Sequence, residues 1–140
     1  MVVRYSIILF ISLVLYSVSC APGAVWQDSG LYQYRVWHGD LEGFEGLALS
    51  HPLYHIVAIG AKHLPFGEFG RRVNLVSAGA AAFAVANLFL LMRLWLGREF
   101  PAVIAALTLA FSHTFWWHAS LAETYTLWVA LLLVEMLVLL

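Results

Sequence analysis

The sequence predicts an all-α, polytopic membrane protein with about four hydrophobic spans arranged around one long polar loop. Three observations predict it. Of the 140 residues, 63% are apolar and only 11% charged, and the mean hydropathy is +0.86, outside the range of an ordinary soluble domain. Charge-free runs of about twenty residues recur, the length at which a helix crosses a hydrocarbon core of roughly 30 Å. A backbone crossing that core must satisfy its own donors and acceptors, which these runs do as helices.

The first span, Val2 to Cys20, is apolar apart from Arg4 and a few serines. A basic start, an apolar stretch and the small residues Ser17 to Ala21 also fit a cleaved signal peptide, the competing reading of this segment. Val73 to Met92 and Pro101 to Ala122 carry no charge over 20 and 22 residues, and each is long enough to cross. Gly97, Arg98, Glu99 and Pro101 make a short charged turn, so these two spans form a hairpin. Thr124 to Leu140 is the fourth run. The chain stops inside it without a polar flank and reads as the N-terminal part of a longer protein.

Composition also excludes partners. Seven Lys and Arg, scattered along a chain of net charge −1, do not supply the basic surface that nucleic-acid binding requires. A single cysteine, Cys20, rules out an intrachain disulfide. For orientation, Arg4, Arg93 and Arg98 stand on one side against Arg35, Lys62, Arg71 and Arg72 on the other. Short loops weigh most in the positive-inside rule, so the Arg93 to Arg98 turn is assigned to the cytoplasm and the long loop to the outside.

That loop, residues 21–72, holds Asp28, Asp40, Glu42, Glu45 and Glu68, five of the eight acidic residues. Its stretch His51 to Leu64 is apolar enough for a short helix but too short to cross, and is expected to lie along the interface. There His55 and Lys62 share one helical face, while Leu53, Ile56, Val57 and Gly60 group on another.

The strings APGAVWQDSG (Ala21 to Gly30), SHPLY (Ser50 to Tyr54), LPFG and RRVN (Leu64 to Asn74) and FSHTFWWHASLAETYTL (Phe111 to Leu127) follow one another over nearly the whole chain. In order and spacing they resemble the GT-C superfamily of membrane glycosyltransferases. More narrowly, they resemble a protein O-mannosyltransferase-like family of bacterial membrane proteins. Two departures stand out: Leu31 follows the DSG where such families carry an acidic residue, and the stretch after His51-Pro52 is shortened to Leu53 and Tyr54.

The resemblance implies a GT-C-like fold in a bacterial cell membrane, with an extracytoplasmic first loop whose catalytic carboxylate falls on Asp28. It implies an inverting transfer of a sugar, mannose in the narrower family, from a polyprenyl-phosphate donor to a hydroxyl acceptor. A protein serine or threonine, a glycan or a lipid would each serve as acceptor. A carboxylate at the mouth of a lipid-facing cavity can take the acceptor's proton. Read without the resemblance, Asp28 with Ser29 and Gly30 equally suits the capping of a loop helix. His51, Arg72, Asn74 and Glu123 fall in the matching strings and are the expected substrate-binding residues; for His51 a helix-start or loop-packing role is the plain alternative. Arg72 would hold the donor's phosphate, although arginines at span ends also reach ordinary headgroups. Glu123 lies at a membrane boundary, where interfacial solvation is the plain alternative. Glu135 carries no assigned role.

No metal site is expected from the histidines: His113 and His118 are five residues apart, about 140° around a helix, and with Trp116 and Trp117 they suit an interfacial belt. No cofactor is predicted beyond the lipid-linked donor itself, and the need for a divalent metal stays open. Membrane lipid, donor and hydroxyl acceptor are the expected partners. A transporter and a non-catalytic assembly subunit are the two other function classes, separable from a transferase by the architecture that follows residue 140.

Overall fold

A computed structural model describes residues 1–44 and 46–140; Glu45, one of the loop acids, lies outside the described residues. The described residues form seven helices: α1 (Val2–Ser19), α2 (Gln27–His38), α3 (Pro52–Ala61), α4 (Phe69–Leu96), α5 (Glu99–Ala110), α6 (His113–Ser120) and α7 (Tyr125–Val138).

The long α4 organises the rest, packing against α1, α5, α6 and α7. Its middle explains why. Ala78, Ala81, Ala82, Ala84 and Ala86 are buried, and side chains this small let neighbouring helices come close where packing rather than water drives association. Tyr16, Val85, Phe89 and Phe115 fill the remaining space. α1 buries only Ser12 and Tyr16, leaving Ile7, Phe10 and Ile11 exposed as a lipid-facing flank requires. Arg4 pairs with Glu99, which brings the start of α1 to the end of the molecule that also holds the α4–α5 turn. The residues grouped on one side by charge therefore lie at one end, with α2 and α3 at the other.

Two helices, α1 and α4, are long and apolar enough to cross a membrane; a third crossing exists if α5 and α6 count as one span. The four runs expected from the sequence thus give two or three such spans. Pro101 to Ala122 is not one helix: α5 and α6 meet at a 60° bend around Phe111 and Ser112. The bend frees carbonyls at the end of α5, and the Tyr16 hydroxyl of α1 donates to one of them, Ala110 O, at 2.9 Å. α7 is 14 residues, about 21 Å long, short of the core's thickness.

The loop is largely helical. α2 ends at Gly39, whose left-handed conformation (φ 71°) lets its N–H reach back to Arg35 O and Val36 O. Basic side chains finish the helix ends: Lys62 Nζ donates to Trp37 O at 3.3 Å, and Arg72 Nη1 to Lys62 O at 2.7 Å and Leu64 O at 2.6 Å. On α3, Leu53, Ile56 and Val57 face outward while Tyr54, His55 and Ala58 are buried. The apolar group read from the sequence is thus the outer face, while His55 is fully buried and Tyr54 and Ala58 pack with Val36, Val73 and Ala122.

The linker between α1 and α2 is tied down where it crosses α4. Asn74, fully buried, donates to Ala21 O and Gly23 O at 3.1 Å each and accepts from Gln33 Nε2 at 2.8 Å. Gln33 also donates to Gly70 O and accepts from Val25 N–H. The approach is so close that a Cβ on Gly70 would lie 2.5 Å from the carbonyl carbon of Gly23.

Candidate functional site

This knot fixes α2 against α4 and so decides what α2 shows to the outside. Asp28, Tyr32 and Arg35 stand at i, i+4 and i+7, one face of the helix, and all three line a polar pocket of about 210 Å³. The wall opposite comes from Gly43, Phe44, Leu49, Ser50 and His51. Asp28 is exposed in the first turn of α2, where a carboxylate suits the helix dipole. The N-cap itself is Trp26, and it makes no side-chain cap bond.

Glu123 joins this face from the far end of the sequence. The turn between α6 and α7 is held on α4 by Ser77, whose hydroxyl accepts from Glu123 N–H and donates to Glu123 O, both at 2.9 Å. The carboxylate then accepts from the buried Ser29 hydroxyl at 2.6 Å, so Glu123 is bonded to the residue next to Asp28. Tyr32 lies in the field of both carboxylates. Burial first, then Glu123 and Asp28, push its phenol above the ordinary value and keep it a proton donor.

His51 precedes Pro52 and starts α3 in the left-handed region, φ 52° and ψ 54°, a conformation uncommon for a residue with a side chain. The proline ring disfavours the right-handed helical alternative. His51 lies at the meeting of two cavities. One is the polar pocket; the other is an apolar groove of about 430 Å³ between α3 and α7, lined by Leu53, Tyr54, Tyr125, Leu127, Trp128 and Leu131 among others. Tyr32 stacks edge-on to His51 and His55, with ring centres 6.4 and 5.4 Å away.

The sequence candidates therefore separate into two groups. Asp28 and His51 line the polar pocket, and Glu123, bonded to Ser29 beside Asp28, lies next to it without lining it. Arg72 lies on another side, with its guanidinium on the end of α3, and Asn74 is buried in the linker knot with both ends of its amide engaged. Three residues of the site were not singled out from sequence: Ser29, Tyr32 and Arg35. The i, i+4, i+7 spacing of Asp28, Tyr32 and Arg35 is a signal that a helical reading of residues 27–38 would have found; the Ser29 contact, 94 residues away in sequence, has no local signal. Among the described residues, no three His, Cys, Asp or Glu side chains are grouped as metal ligands.

Fold and site together define a helical membrane protein with a carboxylate-bearing pocket beside its spans. Residues 50–140 match the family of the protein O-mannosyl-transferase TMEM260 N-terminal domain, and the chain belongs to that family. The matched segment includes His51, Arg72, Asn74 and Glu123, while Asp28 and Arg35 precede it. No curated protein and no solved structure shows a significant match to the chain.

Proposed function

We propose that this chain carries part of the active site of a GT-C-type glycosyltransferase, which moves mannose from a polyprenyl-phosphate carrier to a hydroxyl acceptor. Family membership supports sugar transfer. The observation that carries the fuller reading is the position of His51, which lines both the polar pocket holding Asp28 and the apolar groove along α7. A donor that is a polyisoprenoid at one end and a sugar at the other needs such a pair of adjoining cavities. Trp128 and Tyr125, both exposed at the groove, suit the boundary between hydrocarbon and water.

In this reading Asp28 takes the proton of the acceptor hydroxyl as its oxygen attacks the anomeric carbon. The bond from that carbon to the phosphate oxygen breaks, the electron pair leaves with polyprenyl phosphate, and configuration inverts. Tyr32 and Glu123 orient hydroxyls of the sugar, and His51 lies where the two cavities join. The face bearing α2 and α3 is extracytoplasmic, with α3 along the interface and α7 beside α4 within a bacterial cell membrane.

The test is transfer from labelled polyprenyl-phosphate mannose in membranes containing the natural protein or Asp28→Asn. Loss of a general base lowers the rate on the order of a hundredfold or more, with insertion unchanged. Undiminished transfer by Asp28→Asn removes Asp28 from the base role. No transfer by well-inserted natural protein from several donors favours the transporter or assembly alternatives.

A further inference from the structure

Arg35 is 5% exposed and lines the same pocket as Asp28. Two of the five N–H groups of an arginine are engaged here: Nη2 donates to Leu41 O at 2.9 Å and Nη1 to Ser50 O at 3.3 Å. Nε is buried without a hydrogen-bond partner among the described residues. Among the described residues its nearest carboxylate, Asp40, stands 3.8 Å away and is itself held by the backbone N–H groups of Gly43 and Glu42 at 2.8 and 3.1 Å. A guanidinium this buried, with N–H groups left over, calls for a further acceptor. Gly43 packs directly on it: a Cβ there would stand 3.0 Å from the guanidinium carbon and 3.1 Å from Nε.

Spacing indicates which acceptor. Asp28 and Arg35 share one face of α2, seven residues and therefore roughly 10 Å apart along the axis. That separation suits a base at one side of a single sugar ring and a cation at the leaving group on the other. Arg72 has its guanidinium on Lys62 O and Leu64 O, outside this pocket.

We propose that Arg35 binds the phosphate of the lipid-linked donor, its planar fork taking phosphoryl oxygens in paired hydrogen bonds and stabilising the negative charge of the departing polyprenyl phosphate. The inference rests on the glycosyltransferase reading. It is tested apart from that reading by binding of the leaving group.

Purified protein in detergent is titrated with polyprenyl phosphate and with the uncharged polyprenol, and the ratio of the two affinities is compared across the natural protein, Arg35→Lys and Ser120→Ala. Arg35→Lys keeps the charge but loses the fork. Ser120→Ala removes the hydroxyl bond to Trp116 O at 3.0 Å on α6, outside the pocket. The expected result is that Arg35→Lys weakens polyprenyl phosphate binding about tenfold or more, with polyprenol binding retained and the Ser120→Ala ratio unchanged. The proposal is overturned by an unchanged ratio in Arg35→Lys, by equal loss of both ligands, by loss of the ratio in Ser120→Ala, or by a natural protein that does not distinguish the ligands. The transferase reading fails separately, through absence of transfer by the natural protein.

Discussion

Two buried asparagines on α4 differ in how completely they are bonded, and replacing each by leucine separates hydrogen bonding from side-chain size. Asn74 makes three bonds at 2.8 to 3.1 Å, to Gln33, Ala21 and Gly23, and holds the linker and α2 on α4. At about 1 kcal/mol net for each buried hydrogen bond, Asn74→Leu costs about 3 kcal/mol. Asn87 accepts one bond, from Tyr5 at 2.9 Å, while its Nδ2 is buried without a partner among the described residues. Asn87→Leu loses the bond but also removes the orphaned amide, and the two effects offset to within about 1 kcal/mol. In the same detergent, thermal unfolding followed by size-exclusion fluorescence should show a fall of roughly 10 °C for Asn74→Leu and a few degrees at most for Asn87→Leu. Equal shifts, or the larger shift at Asn87, would refute the reasoning, because both variants change volume alike and only the bonding differs.

Gly70→Ala sets a Cβ 2.5 to 2.7 Å from backbone atoms of Gly23 and Ala24, so one element must move; a loss of about 1–3 kcal/mol and faster proteolysis of the linker at residues 21–26 are expected. Ser29→Ala releases the Glu123 carboxylate from its 2.6 Å bond, and transfer should fall about tenfold while thermal stability drops by about 1–3 kcal/mol; full activity would show that Glu123 needs no anchoring. Desolvation, chiefly, lowers the pKa of His55 below its usual 6.5, with the positive charge of Arg35 adding to it and the bond to His51 O opposing it. The unfolded chain then binds more protons in the window just below pH 6.5, so this contribution is complete above that pH and declines as pH falls toward the folded pKa. Unfolding temperature should drop from pH 7.5 to 5 by more in the natural protein than in His55→Phe, and parallel profiles would contradict the assignment.

Legibility in the sequence followed the range of the interactions. Apolar runs marked α1 and α4, because crossing a bilayer depends on length and hydropathy within one segment. The outward group Leu53, Ile56 and Val57 on α3 was equally local. The α5–α6 bend was hidden because residues 101–122 carry no charge and were read as one run; Tyr16, far away in sequence, donates to the carbonyl the break exposes. Arg72 attracted attention as an arginine at a span end in a matching string, yet its guanidinium lies on two carbonyls that only the folded loop brings to it.

By itself, then, the sequence determined that the chain is helical, that it carries segments long and apolar enough to cross a membrane, and that its polar residues concentrate in residues 21–72, since these depend on composition and short periodicity. Tertiary structure decided which polar residues meet. Ser77 holds the α6–α7 turn, Ser29 draws Glu123 to Asp28, and the Gln33–Asn74 knot rotates the Asp28, Tyr32 and Arg35 face of α2 toward the pocket. Each contact joins residues more than forty positions apart or depends on one that does, and no local pattern encodes it; it exists because buried polar groups must find partners once the helices have packed.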